Sequence, residues 1–164
     1  MNAKFIHILT IMLTVAGLAF ASFLYWTEPR SLAEVTTKGQ VVLGTYEINK
    51  TEFDQGLNSF RRDAFPDARA AFDRADPEKR DATTQFYVAY SYYRQGWGRL
   101  SNDDTLFQPG LDAVNHLIAI DPKFKTSDET LGIKTPAELK NEFEEGLKIT
   151  PSDFNPVKLM RERK

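Results

Sequence analysis

Residues 86–96 read FYVAYSYYRQG, and the architecture turns on how that stretch is read. It is a helix ending in glycine, which readily takes the left-handed conformation that closes helices. Phe86, Tyr90, Tyr93 and Trp97 fall at i, i+4, i+7 and i+11, which lines them up as one aromatic stripe. Two readings of that stripe stay open. The rings can pack helix on helix, or beneath the residues that follow. Alternatively, with Arg94, they can face a partner, since tyrosine and arginine join large contact area to a polar handle.

Outward from this helix the pattern repeats. Leu111–Ile120 is a second helix, apolar at Leu111, Val114, Leu117 and Ile120, and it stops at Asp121-Pro122. Between the two lies an insertion, Trp97–Pro109. Upstream, Thr51 caps a helix with Asp54 in the capping-box position, and Phe53, Leu57 and Phe60 form its apolar face. Asp63-Ala64-Phe65-Pro66 breaks it, with Pro66 suited to the first turn of the next helix. That helix carries Ala68, Phe72 and Ala75 before Asp76-Pro77 ends it. Short helices joined by tight turns form antiparallel hairpins, and a recurring hairpin of about 34 residues marks a helical solenoid.

These residues resemble the tetratricopeptide repeat family. In the first unit the resemblance rests on Gly56, Phe60, Phe65, Ala68, Phe72 and Ala75. In the second it rests on Ala89 with Tyr92–Gly96, and on Leu111, Val114, Leu117 and Ile120-Asp121-Pro122. The likeness spans residues 51–122. The resemblance implies that the first helix of each repeat lines a concave groove. Phe60, Arg61, Phe86, Tyr90, Tyr93, Arg94 and Trp97 are then the candidate partner-binding residues. The sequence departs from the family in the early end at Ala75-Asp76-Pro77, in the insertion, and in Gly110 where an alanine is expected. The basic and asparagine set of the family's peptide-carboxylate clamp is not seen.

A further helix follows a loop at Lys123–Lys134. Thr135 is its N-cap, Pro136 its first residue and Glu138 completes a capping box. Leu139, Phe143 and Leu147 form its inner face, with Glu138, Glu142, Glu144 and Glu145 outside, so it caps the last repeat. Residues 151–164 end in a basic tail, Val157–Lys164, that is either solvated or a contact for acidic lipid or a partner.

At the other end, Phe5–Trp26 reads FIHILTIMLTVAGLAFASFLYW and carries no acid, lysine or arginine. It is long enough to span a hydrocarbon core of about 30 Å, and Tyr25 and Trp26 suit the interface. His7 reads as an interfacial polar residue, and Gly17-x-x-x-Ala21 could seat a neighbouring helix. Ala19-Phe20-Ala21 also matches a signal-peptidase pattern, but the apolar run continues to Trp26, which favours an uncleaved anchor. Residues 27–50 then read as a linker, with a loop at Thr36–Gly39 and a short strand or tether at Val41–Tyr46. Asn49-Lys50-Thr51 matches a glycosylation sequon.

Composition narrows the function. The chain has 164 residues, a formal charge of −2, 27% charged and 41% hydrophobic residues, and no cysteine. Near-neutral charge argues against nucleic acid as a partner, and the lack of cysteine excludes disulfides, thiol catalysis and cysteine metal sites. Two histidines, without a nucleophile motif, leave no usual nucleophile–base pair. Asn102-Asp103-Asp104 lacks the alternating spacing of a calcium loop and reads as a polar loop or cap. Gly96-Trp97-Gly98 lacks the setting of a phosphate loop.

The expectation is an all-α protein. Residues 1–4 are a short flank, 5–26 a transmembrane helix, 27–50 a linker, 51–150 a tetratricopeptide-like domain and 151–164 the tail. The chain is expected to act as a non-catalytic membrane-anchored adaptor, using no metal or cofactor and binding a protein partner. Its domain is expected outside the cytoplasm, with the bilayer contacted through residues 5–26. The alternatives are a self-assembling structural subunit, and a soluble binding or enzymatic domain released after Ala21.

Overall fold

The computed structural model describes residues 3–27, 36, 40, 45–98 and 102–148. Six helices lie among them: α1 (Ala3–Thr27), α2 (Lys50–Arg61), α3 (Phe65–Ala75), α4 (Ala82–Gly96), α5 (Asp104–Ile120) and α6 (Pro136–Gly146). No strand occurs among the described residues, so the protein is all-α there. The chain divides into two compact units, Met1–Tyr46 and Glu47–Lys164.

In the first unit, Phe5–Trp26 of α1 is a 22-residue run of mean hydropathy 2.1 with 0% of it buried. It is long and apolar enough to cross a membrane, whether as an anchor or as a signal sequence. Its two threonines hide their polarity: the Thr10 and Thr14 hydroxyls donate to the carbonyls of Ile6 and Thr10, each at 2.8 Å. Thr36 is helical where a loop was expected, and Thr45 and Tyr46 are irregular. Residues 41–44 of the expected strand or tether and the tail 151–164 lie outside the described residues.

In the second unit four of the five helices begin where a short polar side chain meets their free amides; α3 instead starts from Ala64 with Pro66 in its first turn. Asn49, not Thr51, caps α2: its Oδ1 accepts from the amides of Thr51 and Glu52 at 3.1 and 3.3 Å. Asparagine is among the best N-caps, and the sequon's asparagine is thereby used in the fold. Asp81 caps α4 by accepting from the Thr84 amide and hydroxyl, both at 2.7 Å, which starts the helix at Ala82. Asp103 caps α5 through the Thr105 amide at 2.9 Å and hydroxyl at 2.6 Å. The loop expected through Pro109 therefore ends at Asp103, and Pro109 lies inside α5. At α6 the capping box of Thr135 and Glu138 forms in full.

The turns are equally specific. Asp63 takes a positive φ of 58°, a conformation aspartate tolerates, and lets α3 fold back on α2. Asp76 is wholly buried between α3 and α4, and its carboxylate accepts from the amides of Arg80 and Asp81 and from Gln85 Nε2, each at 2.9 Å. Those three donors offset the desolvation that a lone buried carboxylate would suffer.

Successive helices run antiparallel. The start of α2 meets the end of α3 through Glu52–Arg74 at 2.8 Å, and its end meets the start of α3 through Phe60–Phe65. Phe72 on Tyr87 joins α3 to α4, Tyr93 on Phe107 joins α4 to α5, and Phe107 on Phe143 joins α5 to α6. Alternate helices also touch and run the same way, α2 to α4 through Phe60–Tyr90 and α4 to α6 through Tyr93–Phe143. The helix α4 is thus central, and its buried residues fall on every side of it.

Glycine sets the closest approaches. A Cβ at Gly110 would collide with the Phe143 ring and lie 2.9 Å from Tyr92 Cβ. The residue that departs from the expected alanine is the one that lets α4, α5 and α6 converge. Gly110→Ala is expected to destabilise the unit by about 1–3 kcal/mol through overpacking, seen as a lowered denaturation midpoint.

Candidate functional site

The seven candidate residues do not form an open groove. Phe60, Phe86, Tyr90 and Tyr93 are 0–2% exposed and lie in the core. Arg61 is exposed, whereas Arg94 and Trp97 are half-buried. The aromatic stripe is therefore interior packing, and its position explains why: it faces α2, α6 and a covering segment at once. Trp97 leaves the stripe altogether. It lies beyond the end of α4 with extended backbone (φ −70°, ψ 126°), so helical spacing no longer positions it.

Arg94 is tied down at the end of α2. Its guanidinium donates to Asp63 at 2.8 Å and sits over the Phe60 and Phe65 rings at 5.2 and 5.5 Å. On the other side of α4, Arg69 lies over the Tyr92 ring at 4.1 Å and donates to Gln95 at 2.7 Å. Partial burial pulls the Arg69 pKa down. Both arginines use an aromatic face and a polar partner, which stacked guanidinium groups favour.

What covers the stripe is the connection from 121 to 135. Leu131 and Ile133 are buried, and Phe124 lies against Phe86 with centroids 5.3 Å apart. The Tyr90 hydroxyl accepts from the amides of Gly132 and Ile133 at 3.1 and 3.3 Å. The Tyr87 hydroxyl donates to Asp128 Oδ2 at 2.7 Å. Burial, aided by that hydrogen bond, raises the Tyr87 pKa. Partial burial pushes Asp128 upward, but hydrogen bonds from Thr130 and Tyr87 outweigh it and leave its pKa lowered.

Tyr87, Phe124, Asp128, Leu131 and Ile133 are the neighbours of the stripe that spacing along α4 does not single out. The available signal lay in the connection itself, where Leu131 and Ile133 alternate with Gly132 within an otherwise polar stretch. Alternation of that kind is an extended segment laid on an apolar surface.

Beside the connection, a cavity of about 480 Å³ opens against α6, lined by Ile133, Lys134, Glu138, Asn141, Glu142 and Glu145 among others. Three carboxylates against one lysine make its wall acidic. Glu138 is engaged in the capping box, where the Lys134 and Thr135 amides hold its pKa down. Tyr93 OH donates to Glu142 at a long 3.4 Å. His116 Nε2 lies 2.9 Å from the Lys79 carbonyl, which it can engage only as a donor, so it joins α5 to the turn before α4. Asp103 of the acidic cluster serves as the α5 cap.

No family model, curated protein or solved structure matches this chain.

Two predictions follow from the tyrosine contacts. Tyr90→Phe keeps the ring but strands the Gly132 and Ile133 amides, and is expected to cost about 1–3 kcal/mol in denaturant titration. The Tyr87–Asp128 pair gives stability a two-sided pH dependence. The Asp128 contribution is complete above its ordinary 3.8 and is lost as pH falls through its lowered folded value. The Tyr87 contribution is complete below 10.0 and is lost as pH rises toward its raised folded value. Tyr87→Phe should flatten the alkaline limb and shrink the acid limb, read as denaturation midpoint against pH.

Proposed function

We propose that the chain is a membrane-anchored, non-catalytic adaptor whose helical unit stands outside the cytoplasm and binds a protein partner through the α2–α4–α6 side. The observation that carries this reading is the pairing of one exposed apolar helix with a serial stack of antiparallel helices. Alternate helices of that stack share a direction and a face, as repeat proteins require for an extended binding surface. The hairpins α2–α3 and α4–α5 each join the end of the first helix to the start of the second through an aromatic pair, Phe60–Phe65 and Tyr93–Phe107. This supports the tetratricopeptide-like reading of residues 51–122, with α6 as the closing helix.

An anchor is favoured over a cleaved leader by the end of α1. Tyr25 and Trp26 are 81% and 88% exposed, and they suit the boundary between hydrocarbon and water. Cleavage after Ala21 would leave them on a soluble terminus. Export of the larger following unit places it on the far side of the membrane.

The test is crosslinked co-purification from native membranes, with the intact mass of the recovered chain. A full-length chain with a stoichiometric protein partner is the expected result. Recovery alone or in multiples of itself would replace the adaptor with a self-assembling subunit. A chain beginning at Ser22 would replace the anchor with a released domain.

A further inference from the structure

We propose that residues 124–134 are a displaceable strap occupying, in cis, the surface formed by α2 and α4. The occupant that replaces it is an extended partner segment of the same chemistry: a carboxylate followed three and five residues later by branched aliphatic side chains. This rests on the adaptor reading and names what the partner must present.

The connections 62–64 and 76–81 turn one helix into the next directly. The connection 121–135 exceeds the about 2–8 residues that neighbouring helices need, and segments this long without regular structure are commonly functional. The segment is also closed on itself. The Thr126 amide donates to the Lys134 carbonyl at 3.0 Å, joining its ends. Inside that closure, Asp128 Oδ1 accepts from the Thr130 amide and hydroxyl at 2.9 and 2.6 Å, and Lys134 Nζ donates to the Asp128 carbonyl at 2.6 Å. Such a loop keeps these bonds when it lifts, as a compact loop that moves as a unit does.

The segment's ties to α4 run through two tyrosine hydroxyls, Tyr87 to Asp128 and Tyr90 to Gly132 and Ile133. Hydroxyls freed by lifting are re-solvated by water, unlike backbone groups of a helix. The buried side chains of the segment are Leu131, Ile133 and the short Thr126, with Phe124 half-buried at the edge. Arg61, at the end of α2, adds a positive charge that acts on Asp128, so this end of the surface favours a carboxylate. Lifting the strap uncovers Phe86 and Tyr90, the rings that the α4 stripe would offer a partner.

The test uses the full chain in lipid nanodiscs and, as probe, a synthetic peptide of residues 124–135, FKTSDETLGIKT. In native-state hydrogen exchange, the Gly132 and Ile133 amides should exchange at least about tenfold faster than the Ala89 and Tyr90 amides, reporting an opening below global unfolding. The peptide should bind the Leu131→Ser, Ile133→Ser variant at least about tenfold more tightly than the native chain, because the cis occupant no longer competes. A peptide with alanine at 128, 131 and 133 should lose that binding. Exchange at 132 and 133 only with global unfolding would overturn the strap, and this readout stands even if the serine variant does not fold. Equal or absent peptide binding by a folded variant would overturn it too. A strap that opens in a chain with no protein partner would sink the adaptor reading alone. A partner captured by a chain whose strap does not open would sink the strap alone.

Discussion

Tyr87 and Tyr90 touch almost everything that holds the helical unit together. The Tyr87 ring meets Phe53, Phe60 and Phe72, while Tyr90 meets Phe60, Phe86 and Tyr93. Most of these pairs are edge-on or tilted, which aromatic quadrupoles prefer, and each is worth about 0.5–1.5 kcal/mol beyond burial. Their hydroxyls then reach outward to the 121–135 connection. Tyr87 and Tyr90 thus join α4 to the hairpin before it and to the segment across it, while Tyr93, one turn on, carries the contacts to α5 and α6. Buried on every side, this central helix gives the unit its continuity.

That constraint accounts for the rest of the layout. Because α4 is surrounded, its neighbours must come close on several sides: Gly96 and Gly110 permit this against α5 and α6, and Gly56 lets α2 close on Phe72 of α3. The same crowding makes charged groups rare in the interior. Asp76 is an exception, kept by three donors that shape the turn into α4. The arginines nearest the core, Arg69 and Arg94, lie flat on rings with their polar ends directed to partners.

Much of the helical layout was legible in the sequence because short-range chemistry decides it. The apolar run of α1, the capping box at Thr135 and Glu138 and Pro66 in the first turn of α3 are each set by residues close in the chain, whereas the glycine that ends α4, Gly96, also answers to Phe107 of α5, which a Cβ there would meet at 2.8 Å. The misplaced boundaries are also local but involve competition. Asn49 stands two residues before Thr51 and is the better cap. Asp103 nucleates α5 early enough that Pro109 is carried inside it, at the cost of one backbone bond.

The candidate site was legible as residues but not as a surface. Spacing put Phe86, Tyr90 and Tyr93 on one side of a helix, and that is a property of the chain alone. Whether such a side meets water is decided by what lies across it, and residues 124–134 return from far along the sequence to do so. Their Leu131 and Ile133 look like isolated apolar residues in a polar loop until the aromatic face is in place beneath them. The sequence by itself determined the helices, their caps and an apolar segment able to enter a membrane, because those depend on neighbours within a few residues. Only the tertiary structure decided that the aromatic stripe is covered, because burial is a property of non-local contacts and no periodicity encodes it.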